Sequence, residues 1–365
     1  MKQEHGAAHA DPIHRIIDAS LARAGGWLPF DRFMALALYA PQVGYYANAG
    51  RKFGTMPASG SDFVTAPELS PLFAQALSVQ LGEALERTGT DEIWEFGAGS
   101  GALASQLLDA LGDRVARYRI VDLSATLRER QQVRLAAHGG KVEWLSELPP
   151  TIEGVVIGNE VLDAMPVQLI LRRQGSWFER GVIQVGERLQ WEDRPTLLRP
   201  PIDIEGEHDY LTEIHVQGRA FVATLADRLE RGAAFFIDYG FPEAEYFHPQ
   251  RAMGTVMCHR GHQADADPLT DVGLKDITAH VDFTGIALAG QDAGLEVLGY
   301  TSQARFLLNL GLLELMASAS VPERAMAARL IHEHEMGELF KVIGFAASGS
   351  WDAAGFAEGD RSHTL

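Results

Sequence analysis

Residues 95–101 read EFGAGSG and stand where a strand-like run, DEIWEFG, gives way to a helical one, ALASQLLDALG. Gly97, Gly99 and Gly101 let the backbone turn tightly and come close to a ligand with no Cβ in the way. Asp122 follows Gly101 by twenty-one residues and ends the next strand-like run, RYRIVDL, beside Leu123. A carboxylate there accepts two hydrogen bonds from a ribose diol, so turn and acid together describe an adenosine site. Two alternatives stay open. One is a plain strand-to-helix connection; the other is a nicotinamide dinucleotide site, because Gly97-x-Gly99-x-x-Ala102 fits the relaxed dinucleotide fingerprint.

A second constellation lies further on. NEVLDAMP, residues 159–166, follows the apolar run GVVIG and sets an amide, Asn159, and two carboxylates, Glu160 and Asp163, where a buried strand ends. IDYG closes another such strand with Asp238 and Tyr239, which are expected at a substrate because ligands bind beyond the carboxyl ends of parallel strands. DITAHVDF adds Asp276, His280 and Asp282 to the same expected wall, with His280 suited to accepting a proton or donating a hydrogen bond. GSDFVTAPE supplies Asp62, Phe63 and Thr65 from a Gly-, Ser- and Pro-rich stretch, 41–67, with little periodicity; loops of that length are usually functional or disordered. Plain readings stand beside these: Asp282 and Asp163 as helix N-caps, Glu160 paired with an arginine, and Thr65-x-x-Glu68 as a capping box.

The elements that must position these residues follow from periodicity. Apolar residues recur at helical spacing in IHRIIDASLARA and FDRFMALALYA, and again between Glu68 and Arg87. Then strands and helices alternate: DEIWEFG, ALASQLLDALG, RYRIVDL, SATLRERQQVRLAAHG, KVEWLS, GVVIGN. This is the rhythm of a parallel sheet covered by helices on both faces. A hairpin-like region, 166–192, precedes a helix near Glu213 to Arg231, the strand AAFFIDYG, an insertion reaching about His280, a helix, strand LEVLGYT, two more helices and the apolar run LFKVIGFA. The expected division is an N-terminal helical region with a covering loop, 1–90, and an α/β domain, 91–365. Insertions at about 166–212 and 240–282 are expected to pack on its ligand-binding edge rather than stand as domains.

Composition excludes several classes. A formal charge of −18, from 49 acidic against 31 basic residues, repels a phosphate backbone, so nucleic acid is not an expected partner. The single cysteine, Cys258, rules out an intrachain disulfide and a multi-thiolate zinc site. It reads as an inert thiol, and with His259 and His262 makes too thin a ligand set for a metal. The beginning, MKQEHGAAHADP, has neither the apolar core of a secretory signal nor an Arg-rich character, and no run of about 18 apolar residues follows. The expectation is a cytoplasmic protein without membrane insertion. Gly-x-Ser-x-Gly, P-loop and zinc-protease motifs are absent.

Glu95, two residues before Gly97, resembles the acid of the E/D-x-G-x-G-x-G first motif of class I S-adenosylmethionine methyltransferases. With SDFVTAPELSPLF, EFGAGSGALA, LRERQ, NEVLDAMPV, WFER, IDYG, DITAHVDF and QARFLLNLG in one order, the chain resembles the MidA family of that class over most of its length. One departure is Asp122, where the resemblance leads to a glutamate, one methylene longer. The resemblance implies a doubly wound, mostly parallel seven-stranded α/β sheet of Rossmann-like type, with LFKVIGFA as its antiparallel last strand. It also implies S-adenosyl-L-methionine as cofactor and methylation of a protein arginine, on a respiratory complex I subunit; a homodimer is left open. On this reading Glu95, Gly97, Gly99, Gly101, Asp122, Leu123 and Asn159 hold the cofactor while Asp62, Phe63 and Thr65 cover it. Glu160 or Asp163 grips the guanidinium and turns a nitrogen toward the methyl group, because a free guanidinium, with its pKa above about 12, is a poor nucleophile. The rival functions are an assembly-factor scaffold that keeps the cofactor fold without turnover, and a nicotinamide-dependent oxidoreductase.

Overall fold

The computed structural model describes residues 12–48, 65–122 and 124–365. Seven strands carry the α/β part: β1 Glu92–Phe96, β2 Arg117–Val121, β3 Val142–Leu145, β4 Ile152–Asn159, β5 Leu229–Phe241, β6 Glu296–Ser302 and β7 Phe340–Ala346. They lie in the order β6-β7-β5-β4-β1-β2-β3, and a two-residue strand, Val281–Asp282, pairs with β5. Neighbours from β5 through β4, β1 and β2 to β3 run parallel, while β7 is antiparallel to both β5 and β6. The expected doubly wound sheet and its antiparallel last strand are therefore present.

Continuous apolar runs make these strands because the sheet is covered twice. In β4, Val155 and Ile157 join a core built with Leu72, Phe73 and Leu77 of helix Pro71–Thr88 and Leu103 and Leu107 of helix Ala102–Leu111. Val156 points the other way, into a core with Val222, Leu225, Phe283 and Ile286. The strand order turns back between β4 and β1, and the crevice beyond the carboxyl ends of those two strands is where open α/β sheets bind ligands. Both motif loops begin there.

Local chemistry sets the boundaries. Helix Pro71–Thr88 starts at Ser70, whose hydroxyl accepts from the Leu72 N–H at 3.3 Å, and it stops at Gly89 in the left-handed region. The expected capping box at Thr65 and Glu68 does not form: Thr65 makes no side-chain cap to the short helix Ala66–Leu69. The helix expected near Glu213 to Arg231 spans only Val216–Ala226. Glu213 belongs to strand Tyr210–Ile214, where its buried carboxylate accepts from the N–H groups of Thr255 and Val256 at 2.6 and 3.1 Å. Leu229 to Arg231 already lie in β5. After β6 come three helices rather than two, Gln303–Asn309, Leu312–Ser318 and Val321–Ile331.

Two compact units divide the chain, and the dividing line differs from one at residue 90. One unit collects the described residues up to 48 with 166–214 and 247–279; the other holds those from 65 to 165, 215–246 and 280–365. The first unit has helices Pro12–Arg23 and Phe30–Tyr39 and an antiparallel sheet of Gln168–Arg173, Ser176–Val185, Arg188–Pro195 and Tyr210–Ile214, extended by Leu28–Pro29. It also has a three-stranded sheet of Met257–Arg260, Gln263–Asp265 and Asp276–Thr278. The insertions thus build their own sheets with the N-terminal helices. Cys258 is buried in the smaller of them, and burial pushes its thiol up to about 12.

Candidate active site

Gly97, Gly99 and Gly101 have φ of 63°, 53° and 79°, the left-handed region that favours glycine. A Cβ on Gly97 would also sit 3.1 Å from Cγ2 of Val161, so the glycine turn lies directly against the NEVLDAMP loop. The Ser100 hydroxyl donates to the Glu68 carboxylate, which also receives Nη1 of Arg134 at 2.6 Å. Asp122, just beyond β2, accepts from the Ser124 N–H at 2.9 Å and from Gln131 Nε2 at 2.9 Å. Burial raises its proton affinity against those hydrogen bonds.

Glu95 is 3% exposed, accepts from the Tyr118 hydroxyl at 2.7 Å, and is pushed up to about 8 by burial. A carboxyl that binds its proton more tightly in the folded chain stabilises it fully below the ordinary value of 4.5 and loses that contribution as pH rises through about 8. Urea unfolding of wild type and Glu95→Gln at several pH values tests this. The variant should gain on wild type progressively between about pH 4.5 and 8, by a few kcal/mol at most. A stability difference that does not change with pH refutes it.

Across the switch point, the acids separate into two kinds. Asp238 is 1% exposed, and its Oδ2 accepts from the N–H groups of Val161, Leu162 and Asp163 at 3.1, 2.8 and 3.3 Å. It is the cradle of the NEVLDAMP loop, where the sequence suggested a substrate-binding side chain. Burial and the nearby Asp163 and Glu160 carboxylates raise its proton affinity. Asp163 is 4% exposed, receives the Tyr239 hydroxyl, and is pushed up to about 6 by burial. Asp163 caps no helix, since none follows it. Glu160 is half-buried with φ of 55°, uncommon for a residue with a Cβ, and takes a hydrogen bond from Asn159 Nδ2 at 3.0 Å. Strained backbone of this kind clusters at functional sites.

The Tyr239 ring packs edge-on against His280 and Phe340, with centroids 5.5 and 5.1 Å apart. His280 therefore joins the β4 and β5 ends. Asp282 is the N-cap of helix Phe283–Asp292, accepting from the Gly285 N–H at 3.1 Å, as the plain reading of the sequence had it. Asp276 lies in the other unit, where it accepts from the Tyr46 hydroxyl at 2.9 Å. Asp62, Phe63 and Leu123 fall outside the described residues. Sequence reasoning missed Gln131, Glu68, Ser100 and Arg134. Gln131 stood in LRERQ and Glu68 in APELS, but only the fold shows that each returns to the glycine turn.

These residues fit an adenosine group with an amino-acid end. The turn offers backbone without Cβ atoms, and Asp122 keeps a lone pair on each oxygen for a diol. Oδ1 of Asn159 is buried with no hydrogen-bond partner among the described residues, an acceptor suited to an ammonium group. Fold and site together define an S-adenosylmethionine-dependent methyltransferase of the class I type. Residues 76–301 match the family described as "Putative S-adenosyl-L-methionine-dependent methyltransferase", and the chain belongs to that family. This sets aside the nicotinamide alternative.

A crystal structure of a COG1565 superfamily member from Burkholderia thailandensis, bound to S-adenosyl-homocysteine, is 49% identical with a TM-score of 0.91. The match covers 97% of this chain and 96% of that one. Among curated proteins, the zebrafish (Danio rerio) mitochondrial protein arginine methyltransferase NDUFAF7 is 27% identical, over 87% of this chain and 81% of the relative. Its Caenorhabditis elegans homologue is 27% identical over 80% and 74%. Both relatives are named as mitochondrial, which corrects the cytoplasmic placement expected from the sequence. No described helix is long and apolar enough to cross a membrane.

Proposed function

We propose that the chain methylates an arginine side chain of a protein, a subunit of respiratory complex I. The observation that carries this reading is the division of acids at the β4 and β5 ends: one half-buried carboxylate, Glu160, over two buried ones, Asp163 and Asp238. A guanidinium needs a planar, charged partner and a proton acceptor, and this arrangement offers both. The names of the arginine methyltransferase relatives support the same acceptor.

S-adenosylmethionine supplies, when bound, an electrophilic methyl carbon on its sulfonium. The chain's own residues do the rest. Asn159 would hold the amino-acid end through its Oδ1, which has no hydrogen-bond partner among the described residues. Glu160 grips the guanidinium through two nitrogens and leaves the third facing the methyl carbon. The nitrogen left facing the methyl group would give up its proton to the Tyr239 hydroxyl oxygen, whose own proton would pass to Asp163 along their existing hydrogen bond. His280, against the Tyr239 ring, keeps that ring in place.

Single-turnover transfer of labelled methyl groups to arginine peptides, matched lysine peptides and isolated complex I subunits tests the proposal. Label on arginine peptides and on a complex I subunit, and none on lysine, is expected. Saturable S-adenosylhomocysteine binding with no transfer to any arginine substrate would make the chain a scaffold and overturn it.

A further inference from the structure

One buried amide joins three parts of the cofactor end that the sequence keeps apart. Gln131 is 0% exposed. Its Nε2 donates to the Gly99 carbonyl at 3.0 Å and to Asp122 Oδ2 at 2.9 Å, while its Oε1 accepts from Trp144 Nε1 at 2.9 Å. A primary amide has two N–H donors, and both are used. The Trp144 contact fixes which end of the amide is the oxygen, because an indole can only donate. The Gln131 side chain also lies under the other end of the turn: a Cβ on Gly101 would sit 3.4 Å from its Cγ.

We propose that Gln131 is the positioning residue for the cofactor's ribose, holding the Asp122 carboxylate and the glycine turn in one fixed relation. Asp122 Oδ1 is held by the Ser124 N–H and Oδ2 by Gln131, so the carboxylate plane cannot swing. The lone pair left on each oxygen is then set for the two hydroxyls of a vicinal diol. An aspartate, one methylene shorter than glutamate, has less freedom to find that diol by itself, and the brace fixes its direction from the far side. Gly99 and Asp122 are tied to the same nitrogen, so a displacement of either end is resisted by the other. The inference rests on the reading of Asp122 as the ribose ligand.

Calorimetric titration with S-adenosylhomocysteine and with its 2′-deoxy analogue tests it, using wild type, Gln131→Glu, Gln131→Met and Asp122→Ala. Gln131→Glu keeps the acceptor for Trp144 and loses both donors; Gln131→Met keeps the volume and loses the amide. Wild type should prefer the diol by about 30-fold, the scale of a hydrogen bond to a charged group. Both Gln131 variants should lose most of that preference while binding the deoxy analogue within about threefold of wild type. Equal weakening for both ligands, or loss of the fold in both variants, would make Gln131 an ordinary structural residue and overturn the proposal. Asp122→Ala separates the two levels. If it retains the wild-type preference, the ribose reading itself fails; if it abolishes the preference while the Gln131 variants keep it, only the positioning role fails.

Discussion

Glu160→Gln lowers single-turnover methyl transfer to an arginine peptide by about two to three orders of magnitude and leaves S-adenosylhomocysteine affinity within about threefold. The substitution keeps length, shape and the left-handed backbone at residue 160, so what it removes is charge. Hydrogen bonds to an ionised group contribute about 1.5–3 kcal/mol, roughly twice the neutral kind, and a bidentate grip on a guanidinium uses two of them. Loss of about 3–4 kcal/mol of orientation in the reacting complex corresponds to two to three powers of ten in rate. The effect falls on transfer rather than cofactor affinity because Asn159, which receives no bond from Glu160 but donates one to it, keeps its own acceptor free. Wild-type transfer rates in the variant would deny Glu160 any part in the reaction.

Asp238→Ala produces a different failure. It removes the acceptor for three consecutive backbone N–H groups, each within 3.3 Å of one carboxylate oxygen. Buried donors left without a partner cost about 1–3 kcal/mol each. Against that stands relief of repulsion, because Asp163 and Glu160 lie close enough to raise the proton affinity of Asp238. Three donors outweigh the relief, since the N–H groups of Val161, Leu162 and Asp163 all share this one carboxylate oxygen. A net loss of about 3 kcal/mol in urea unfolding is expected, with methyl transfer lost alongside it as the loop leaves its register. Glu160→Gln, by contrast, should unfold like wild type. An Asp238→Ala protein as stable as wild type would show that water replaces the carboxylate and that the cradle is dispensable.

The contrast between these acids marks where sequence reasoning stops. Glu160, Asp163 and Asp238 look alike as carboxylates at strand ends, and nothing in their spacing says that only the first is half-buried. That difference arises when the β4 and β5 ends come side by side, Asn159 opposite Ile237 in register, and the loop folds onto Asp238. The parallel strands, by contrast, were legible because GVVIG and AAFFIDYG are apolar without alternation, which requires cover on both faces. The helix start expected near Glu213 failed for a long-range reason. Glu213 reads as a polar helix residue until Thr255 and Val256 arrive from forty residues away to occupy its carboxylate. The same limit hid Gln131, whose partners Gly99 and Trp144 lie on either side of it in the chain. It also hid the joining of the two insertions with the N-terminal helices into one unit, because each segment by itself reads as an elaboration of the sheet.

The antiparallel strand between β5 and β6 bears on how the chain is made. Ala233 of β5 pairs with Ala346 of β7, more than a hundred residues later. During synthesis at about 5–20 residues per second, the outer edge of β5 emerges with its pairing groups unsatisfied and waits roughly 6 to 20 seconds for its neighbour. That edge carries Phe235, Phe236 and Ile237, an apolar template of the kind on which nascent chains stick to one another. β7, made after both of its neighbours, is therefore the strand that fills the place between β5 and the edge strand β6, and a chaperone that shields β5 during this interval would act at the most exposed moment of the sheet's assembly.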